Sequence, residues 1–444
     1  MCHNMTAKTG VTESLFLGEM FRYINNSGIG YCVLRNHEHL PNSTGGSDLD
    51  IAVLQSDRDE LAGEIKAIAS KYSGETIVDY LGSGRFIRIL GCYKGEWWGL
   101  AIDLFGSIEY RGVEYLSVSK IIERAYEYRC IKVASDDDGV IIALIKELIS
   151  NGKSRKGYLA EAREIWTRKG NECLDLYSDT LGKNTLEFIK EVLACEDASV
   201  DNLVIALRLD VLSKGNAWEK LYNLWTRIRR LWNPPGISVA ILGTDGAGKT
   251  TVIEAIRPIL EKSLHSSVHY EHLRPNWIPR LGKVAGKSNT GEVVEDPHGQ
   301  KPSGFFGSLV RLGYYAIDYY IGYWIKIHPK LAKGAKLALF DRYYHDFLLD
   351  PLRMRLKLPQ WLIKLVFIGV PQPQLILCMG ADPEVIYTRK PETSLKEVTK
   401  QVKKLSRLCK SNSRAVWIDT GESVDKSFNK SLNAIVRVMS ANVH

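Results

Sequence analysis

The stretch ILGTDGAGKTTVIEA, residues 241 to 255, constrains what this chain can fold into more than any other. It follows a proline break, NPPG at 233 to 236, and passes from an apolar run through a glycine-rich turn into an amphipathic segment. Gly243, Gly248, Lys249 and Thr250 fit the pattern G-x-x-x-x-G-K-[ST]. Glycines there let the backbone curl so that successive N–H groups point at a polyphosphate, the lysine reaches the outer phosphates, and the threonine hydroxyl helps hold magnesium. The positive end of a helix starting near Lys249 adds to the attraction. Upstream, GISVAILG is an apolar, β-rich run suited to a central parallel strand. Downstream, Val252, Ile253, Ile256, Ile259 and Leu260 share one helical face. An isolated glycine turn would need neither flank. The expectation is an α/β domain in which Gly243, Thr244, Asp245, Gly246, Ala247, Gly248, Lys249, Thr250 and Thr251 cradle ATP, with Mg2+ on Thr250.

A chain of 444 residues exceeds one ordinary core, and 45% hydrophobic residues suffice to fill two or three. Strand and helix patterns alternate over 1–135, residues 136–235 read as almost wholly helical, and 236–444 alternate again. These spans predict an α+β domain, a helical segment, and a parallel sheet flanked by helices. Just before the second break, Trp218, Leu221, Trp225, Ile228 and Trp232 recur at helical spacing among Lys220, Arg227, Arg229 and Arg230. Core packing between domains is the expected use of that stripe, with anion binding the lesser alternative. Lys plus Arg outnumber Asp plus Glu by 59 to 51, which favours anionic partners such as nucleotides or an acidic membrane face, although a plain basic surface gives the same sum. No stable nucleic-acid partner is expected.

Eight scattered cysteines form no C-x-x-C pair and read as reduced thiols, and the polar start MCHNMTAKTGVTES has no apolar signal core, so a cytoplasmic location is expected. FFGSLVRLGYYAIDYYIGYWIKIHPK carries Arg311, Asp318 and Lys326, too polar for a membrane span. A helix lying on a bilayer, and a homodimer, stay open.

Because a P-loop serves motors, GTPases and kinases alike, other residues must set the class. No N-K-x-D guanine signal is present. In LALFDRYYHDFLLD a short apolar strand ends on Asp341, Arg342 and Tyr343, where open α/β sheets place ligands. An acid suits magnesium or its water there, and a guanidinium suits a clamp on a transferring phosphate; a surface ion pair is the bland alternative. Further on, Arg389 and Lys390 end a helix that could close over a nucleotide or merely complement its dipole.

Together these residues resemble the thymidylate kinase family of P-loop nucleotide kinases over 236–444, and Asp245-Gly246 within DGAGKTT is the telling detail. The resemblance implies that Lys249 and Thr250 serve ATP and magnesium, that Asp245 approaches the acceptor or its metal, and that Asp341 and Arg342 match the family's Asp-Arg pair. Arg274 in YEHLRPNW looks like a degraded form of the family's acceptor-binding arginine motif, and Arg342 and Tyr343 are expected beside it at the acceptor. Departures are an insertion-like polar stretch at 286 to 304 and a lid without the full arginine-rich pattern. Tyr314, Tyr315, Tyr319, Tyr320, Tyr323 and Trp324 lie on one segment, part of it core and part expected to line a widened cleft that suits a sugar ring better than dTMP.

In GGSDLDIAVL, Asp48 and Asp50 alternate on an expected strand and so face the same way, about 7 Å apart. Asp103 ends a second apolar strand, WWGLAIDLFG. Three such acids can bridge Mg2+ ions. The arrangement resembles the nucleotidyltransferase fold over residues 25 to 130, with one departure: Arg35-Asn36 stands where that family carries a Gly-Ser phosphate turn. A tandem of the two resembles proteins of cell-envelope polysaccharide metabolism. The expected function is an ATP-dependent kinase acting on a sugar, glycan or nucleotide-like acceptor. The rivals are a true thymidylate kinase and a nucleotide-gated ATPase acting as a binding or defence module.

Overall fold

A computed structural model describes residues 10–155, 157–264, 267–278, 304–334, 336–391 and 394–442. The chain divides into two compact units, Met1–Arg229 and Arg230–His444.

In the first unit the strands are β1 (Tyr31–Val33), β2 (Leu49–Val53), β3 (Gly74–Leu81), β4 (Gly84–Tyr93), β5 (Glu96–Phe105), β6 (Ile108–Tyr110), β7 (Val113–Leu116), β8 (Tyr126–Tyr128) and β9 (Ile131–Val133). Its helices are α1 (Val11–Ser27), α2 (Arg58–Lys71), α3 (Val118–Glu123), α4 (Asp136–Asn151), α5 (Tyr158–Lys169), α6 (Lys183–Ala194), α7 (Val200–Lys214) and α8 (Ala217–Trp232), whose end lies past the division. Seven strands form one sheet in the order β3-β4-β5-β2-β1-β9-β8, with β2 parallel to β5 and β1 parallel to β9. Lys94 and Gly95, both at positive φ, turn β4 back into β5 as a two-residue hairpin.

Alternation sets the faces of this sheet. Leu49, Ile51 and Val53 join Trp98, Leu100, Ile102 and Leu104 in a core under α1 and α2. The intervening Asp50 and Asp103 therefore turn to the opposite face, where Ala52 and Phe105 pack against α4 to α7. The helices expected as a separate middle section thus share a core with the N-terminal strands.

The second unit holds β10 (Ile237–Gly243), β11 (Val268–His272), β12 (Leu337–Asp341), β13 (Leu375–Gly380) and β14 (Ala415–Asp419) in one parallel sheet, order β11-β12-β10-β13-β14. Its helices are α9 (Lys249–Ser263), α10 (Phe305–Gly322), α11 (His328–Ala332), α12 (Asp346–Leu349), α13 (Gln360–Val366), α14 (Pro383–Arg389), α15 (Leu395–Ser411) and α16 (Val424–Asn442). Both sheet faces are covered: α9 and α16 pack together on one, while Leu312 of α10, Ile363 of α13 and Leu405 of α15 meet Ala240, Phe340 and Cys378 on the other. That explains why β10, β12 and β13 read as unbroken apolar runs. It is a mixed α/β region, a parallel five-stranded sheet flanked by helices.

Among the described residues no helix is long and apolar enough to cross a membrane. The insertion expected at 286 to 304 lies outside the described residues except for Gly304.

Candidate active site

The P-loop leaves the carboxyl end of β10, the central strand of the second sheet, and runs into α9. Gly248 caps α9 at φ +76°, and Gly246 sits at φ +81°. A methyl group at Gly246 would fall 2.9 Å from the Ile386 carbonyl oxygen, so the loop lies directly against the end of α14. Lys249 is buried, and its ammonium donates to the carbonyls of Gly243 at 2.9 Å and Thr244 at 2.8 Å. Burial, with the nearby Arg342 charge, pushes its pKa down to about 8 against the opposing pull of Asp245, Asp346 and Asp341. Thr250 and Thr251 stay exposed at the start of α9.

Parallel register brings the other charged residues to the same sheet end. Asp341 pairs with Ile241 on one side and His272 on the other. Its Oδ2 accepts from Tyr270 Oη at 3.1 Å and lies 3.2 Å from His272 Nδ1. Its Oδ1 is buried without a hydrogen-bond partner. A buried carboxylate oxygen of that kind beside a phosphate loop is a fitting place for magnesium or magnesium-bound water, with the Thr250 hydroxyl as the second oxygen donor. Burial raises the Asp341 pKa, but the contact with His272 and the Lys249 and Arg342 charges outweigh it and hold the group below its ordinary value.

Arg342 adopts φ +74°, an uncommon conformation for a residue with a side chain, and its N–H donates to Ile241 O at 2.9 Å. The guanidinium bridges Asp346 at 2.5 Å and Asp245 of the P-loop. The other oxygen of Asp245 is taken by Arg353. Burial raises Asp245, yet Arg342, Lys249, Arg353 and Lys390 keep it ionised below its ordinary pKa. Gln401, Asp350 and Arg353 line the same small cavity as Gly243, Thr244, Asp245 and Arg342. On the far side of the loop, Arg389 donates to Thr420 O at 2.9 Å.

Two residues expected at the acceptor, Tyr343 and Arg274, are buried. Tyr343 is buried in the core, edge-on to Phe340 and Tyr319, and its hydroxyl donates to Pro371 O at 2.8 Å. Its ring belongs to the core beside the sheet. Arg274 is also buried: its guanidinium donates to Asp318 at 3.1 Å and lies over the Tyr314 and Tyr315 rings. Asp318, fully buried, further accepts from the backbone N–H groups of Asn276, Trp277 and Ile278. This pair shapes the 273–278 segment. Of the aromatic run, Tyr319 and Tyr323 are core, Tyr314, Tyr315 and Tyr320 half-buried, and Trp324 exposed.

Arg353, Gln401, Tyr270 and His272 escaped the sequence reading. The alternation of Tyr270 and His272 on a strand next to Asp341 was a usable signal; nothing local marks Arg353 or Gln401, which arrive through α12 and α15 packing.

In the first unit, Asp50 on β2 is the direct register partner of Asp103 on β5. Asp48 joins them, and one ligand oxygen from each lies within 4.8 Å of the others. All three are buried. Such a set of hard oxygen donors suits a divalent cation. Two arginines already meet it: Arg35 Nε donates to Asp50 at 2.6 Å with Nη2 3.8 Å from Asp48, and Arg88 donates to Asp103 at 2.6 Å. Three carboxylates thus stand beside two guanidinium groups. Burial raises the Asp103 pKa, with Asp50 and Asp48 reinforcing and Arg88 opposing.

No protein-family model and no curated protein matches this chain. Among solved structures it is similar to a thymidylate kinase from Ehrlichia chaffeensis, 15% identical, with 45% of this chain and 97% of that chain covered at a TM-score of 0.31.

Proposed function

We propose that the second unit binds ATP on the 243–251 loop and transfers its outer phosphoryl group to a sugar, glycan or nucleotide-like acceptor. The observation that carries this reading is the convergence of Lys249, Asp341 and Arg342 at one sheet end, with the P-loop aspartate Asp245 joined directly to Arg342. In this reading backbone N–H groups of the loop hold the phosphates, and Lys249 leaves its two carbonyl partners to meet the outer ones. Arg342 and Arg353, held by Asp245, stand ready to neutralise charge on the phosphoryl group in flight, since such transfer depends mainly on positioning and charge compensation. Magnesium, held by Thr250 and Asp341, would supply the remaining neutralisation. Arg389 closes the nucleotide side from the end of α14.

A sugar or glycan acceptor is preferred in this reading to a small pyrimidine nucleotide. In this reading dTMP is a poor acceptor. A role in cell-envelope polysaccharide metabolism, and a nucleotidyltransferase-like first unit using Asp48, Asp50 and Asp103, belong to the same proposal. So do a cytoplasmic location and a functional division at 1–135, 136–235 and 236–444.

The test is mass spectrometry of products after the full-length protein is incubated with ATP, magnesium and a panel of nucleoside monophosphates, sugars and lipid-linked glycans. Phosphorylation of a sugar or glycan supports the reading. Efficient conversion of dTMP to dTDP restores the thymidylate kinase alternative, and ATP hydrolysis indifferent to every acceptor favours a nucleotide-gated module.

A further inference from the structure

Helix α8 is inside out. Its sequence, AWEKLYNLWTRIRRLW, is strongly amphipathic, and a helix of that pattern ordinarily buries the apolar side. Here none of its residues is buried. The half-buried positions within the first unit are polar: Asn223 and Thr226. Asn223 and the Glu219 carbonyl rest against the β6–β7 turn, where a methyl group at Gly112 would lie 3.3 Å from the Asn223 amide. The opposite face shows Trp218, Leu221, Tyr222, Trp225, Ile228 and Trp232 to solvent, with Trp218 81% and Trp232 86% exposed. Within the first unit the stripe expected to be core packing is exposed.

The helix does not depend on burying that stripe. Asn216 and Glu219 cap it reciprocally, Glu219 N to Asn216 Oδ1 at 2.8 Å and Asn216 N to Glu219 Oε2 at 3.1 Å. That exchange also occupies the helix's one acid. Its bases remain: at 100° per residue Lys220 and Arg227 border the apolar face beside Leu224, and Arg229 falls within it between Trp218 and Tyr222. Tryptophans near both ends, aliphatic residues between them and long basic side chains along the edges match the depth profile of a bilayer interface, where indoles sit at headgroup level and guanidinium groups reach phosphates.

We propose that α8 docks this protein on an anionic lipid surface, its Trp218–Trp232 face in the headgroup boundary and Lys220, Arg227 and Arg229 on lipid phosphates. A protein groove would have to supply acids along both edges of an apolar trough, whereas an anionic bilayer presents both at once.

Full-length protein co-sedimented with phosphatidylcholine vesicles, with and without phosphatidylglycerol, tests the assignment. Binding should require phosphatidylglycerol and weaken with salt. The double variant Trp218→Glu, Trp225→Glu should reduce it at least about tenfold. Arg227→Gln and Arg229→Gln should each reduce it about fivefold and flatten the salt dependence. Because these residues are exposed, an unchanged melting temperature in every variant keeps the loss from being misfolding. Absence of binding to either vesicle, equal binding with and without phosphatidylglycerol, or an undiminished glutamate variant overturns the proposal. A self-associated protein that becomes monomeric in the glutamate variant, with no vesicle binding, assigns the face to a second copy instead.

Discussion

The two units gather charge at sheet edges in opposite ways. At the end of β10 the glycine loop proposed to take phosphate lies among cations held in place by acids: Arg342 and Arg353 on Asp245, Arg342 on Asp346. Between β2 and β5 three acids cluster in the place proposed for a cation, and arginines hold them: Arg35 on Asp50, Arg88 on Asp103. In the first case removing the counter-ions leaves a glycine loop that still fits phosphate. In the second it leaves three buried carboxylates that cannot stay ionised together at close range without a cation. One site is built around the main chain and the other around compensation.

If that contrast holds, Lys249→Ala has the largest effect. Removing the ammonium that serves the outer phosphates should lower phosphoryl transfer or ATP turnover by about 10²- to 10³-fold, or about 3–4 kcal/mol, while manganese binding to the first unit stays as it was. Turnover unchanged in this variant would sink the P-loop reading, and loss of both activities together would mean the sites are not separate.

Arg35→Ala probes the other side. Asp50 is almost fully buried, whereas the Arg35 side chain keeps about a quarter of its surface, so the lost pair is screened in part. A loss of about 1–3 kcal/mol in stability is expected in EDTA, and manganese should restore it, because a divalent ion can take over the compensation. Thermal melts with and without metal decide. A variant equally unstable in both conditions refutes the cation pocket.

How much of this was legible depends on what carried each feature. The P-loop, the parallel sheet and the alternation of Asp48, Asp50 and Asp103 are local patterns, readable because glycine, β-rich runs and period-two spacing act over a few residues. Arg353 and Gln401 reach the cavity from distant elements, and no spacing along the chain encodes that. Arg35 was visible only as a departure, a large cation in place of a phosphate turn; its grip on Asp50 needed β1 beside β2. The Arg274–Asp318 pair and the exposure of the α8 stripe were not legible for one reason: the residues that set each surrounding, Asp318 in one case and the polar side of α8 in the other, lie outside the motif.

A smaller effect separates the two sites by pH. Lys249 has its pKa lowered to about 8 from an ordinary 10.5, so the free fold holds fewer protons than the unfolded chain across that window and gains stability as pH rises through it. ATP binding runs the other way. Polyphosphate favours the ammonium, so above pH 8 binding must take up a proton, and the ATP Kd should rise up to about tenfold per pH unit. Calorimetry between about pH 7 and pH 10 should show this in the native protein. It should be absent in Lys249→Arg, whose guanidinium stays charged. A Kd that is flat in the native protein would place the lysine in a wetter, unperturbed setting.

The smallest expected change tests where the active site ends. Asp341, Arg342 and Tyr343 are consecutive, and the motif they form suggests three ligand contacts, yet the positive φ of Arg342 directs its guanidinium to Asp245 while Tyr343 turns into the core. Tyr343→Phe keeps the ring against Phe340 and Tyr319 and removes only the hydroxyl that serves the Pro371 carbonyl. Leaving that carbonyl without its donor should cost about 1–2 kcal/mol of stability. If Tyr343 only packs the sheet, KM for acceptor and for ATP stay at native values while the denaturant midpoint falls. A raised acceptor KM with an unchanged midpoint would instead return the tyrosine to the ligand, and would require Arg342 and its neighbour to face the cavity together in the loaded enzyme.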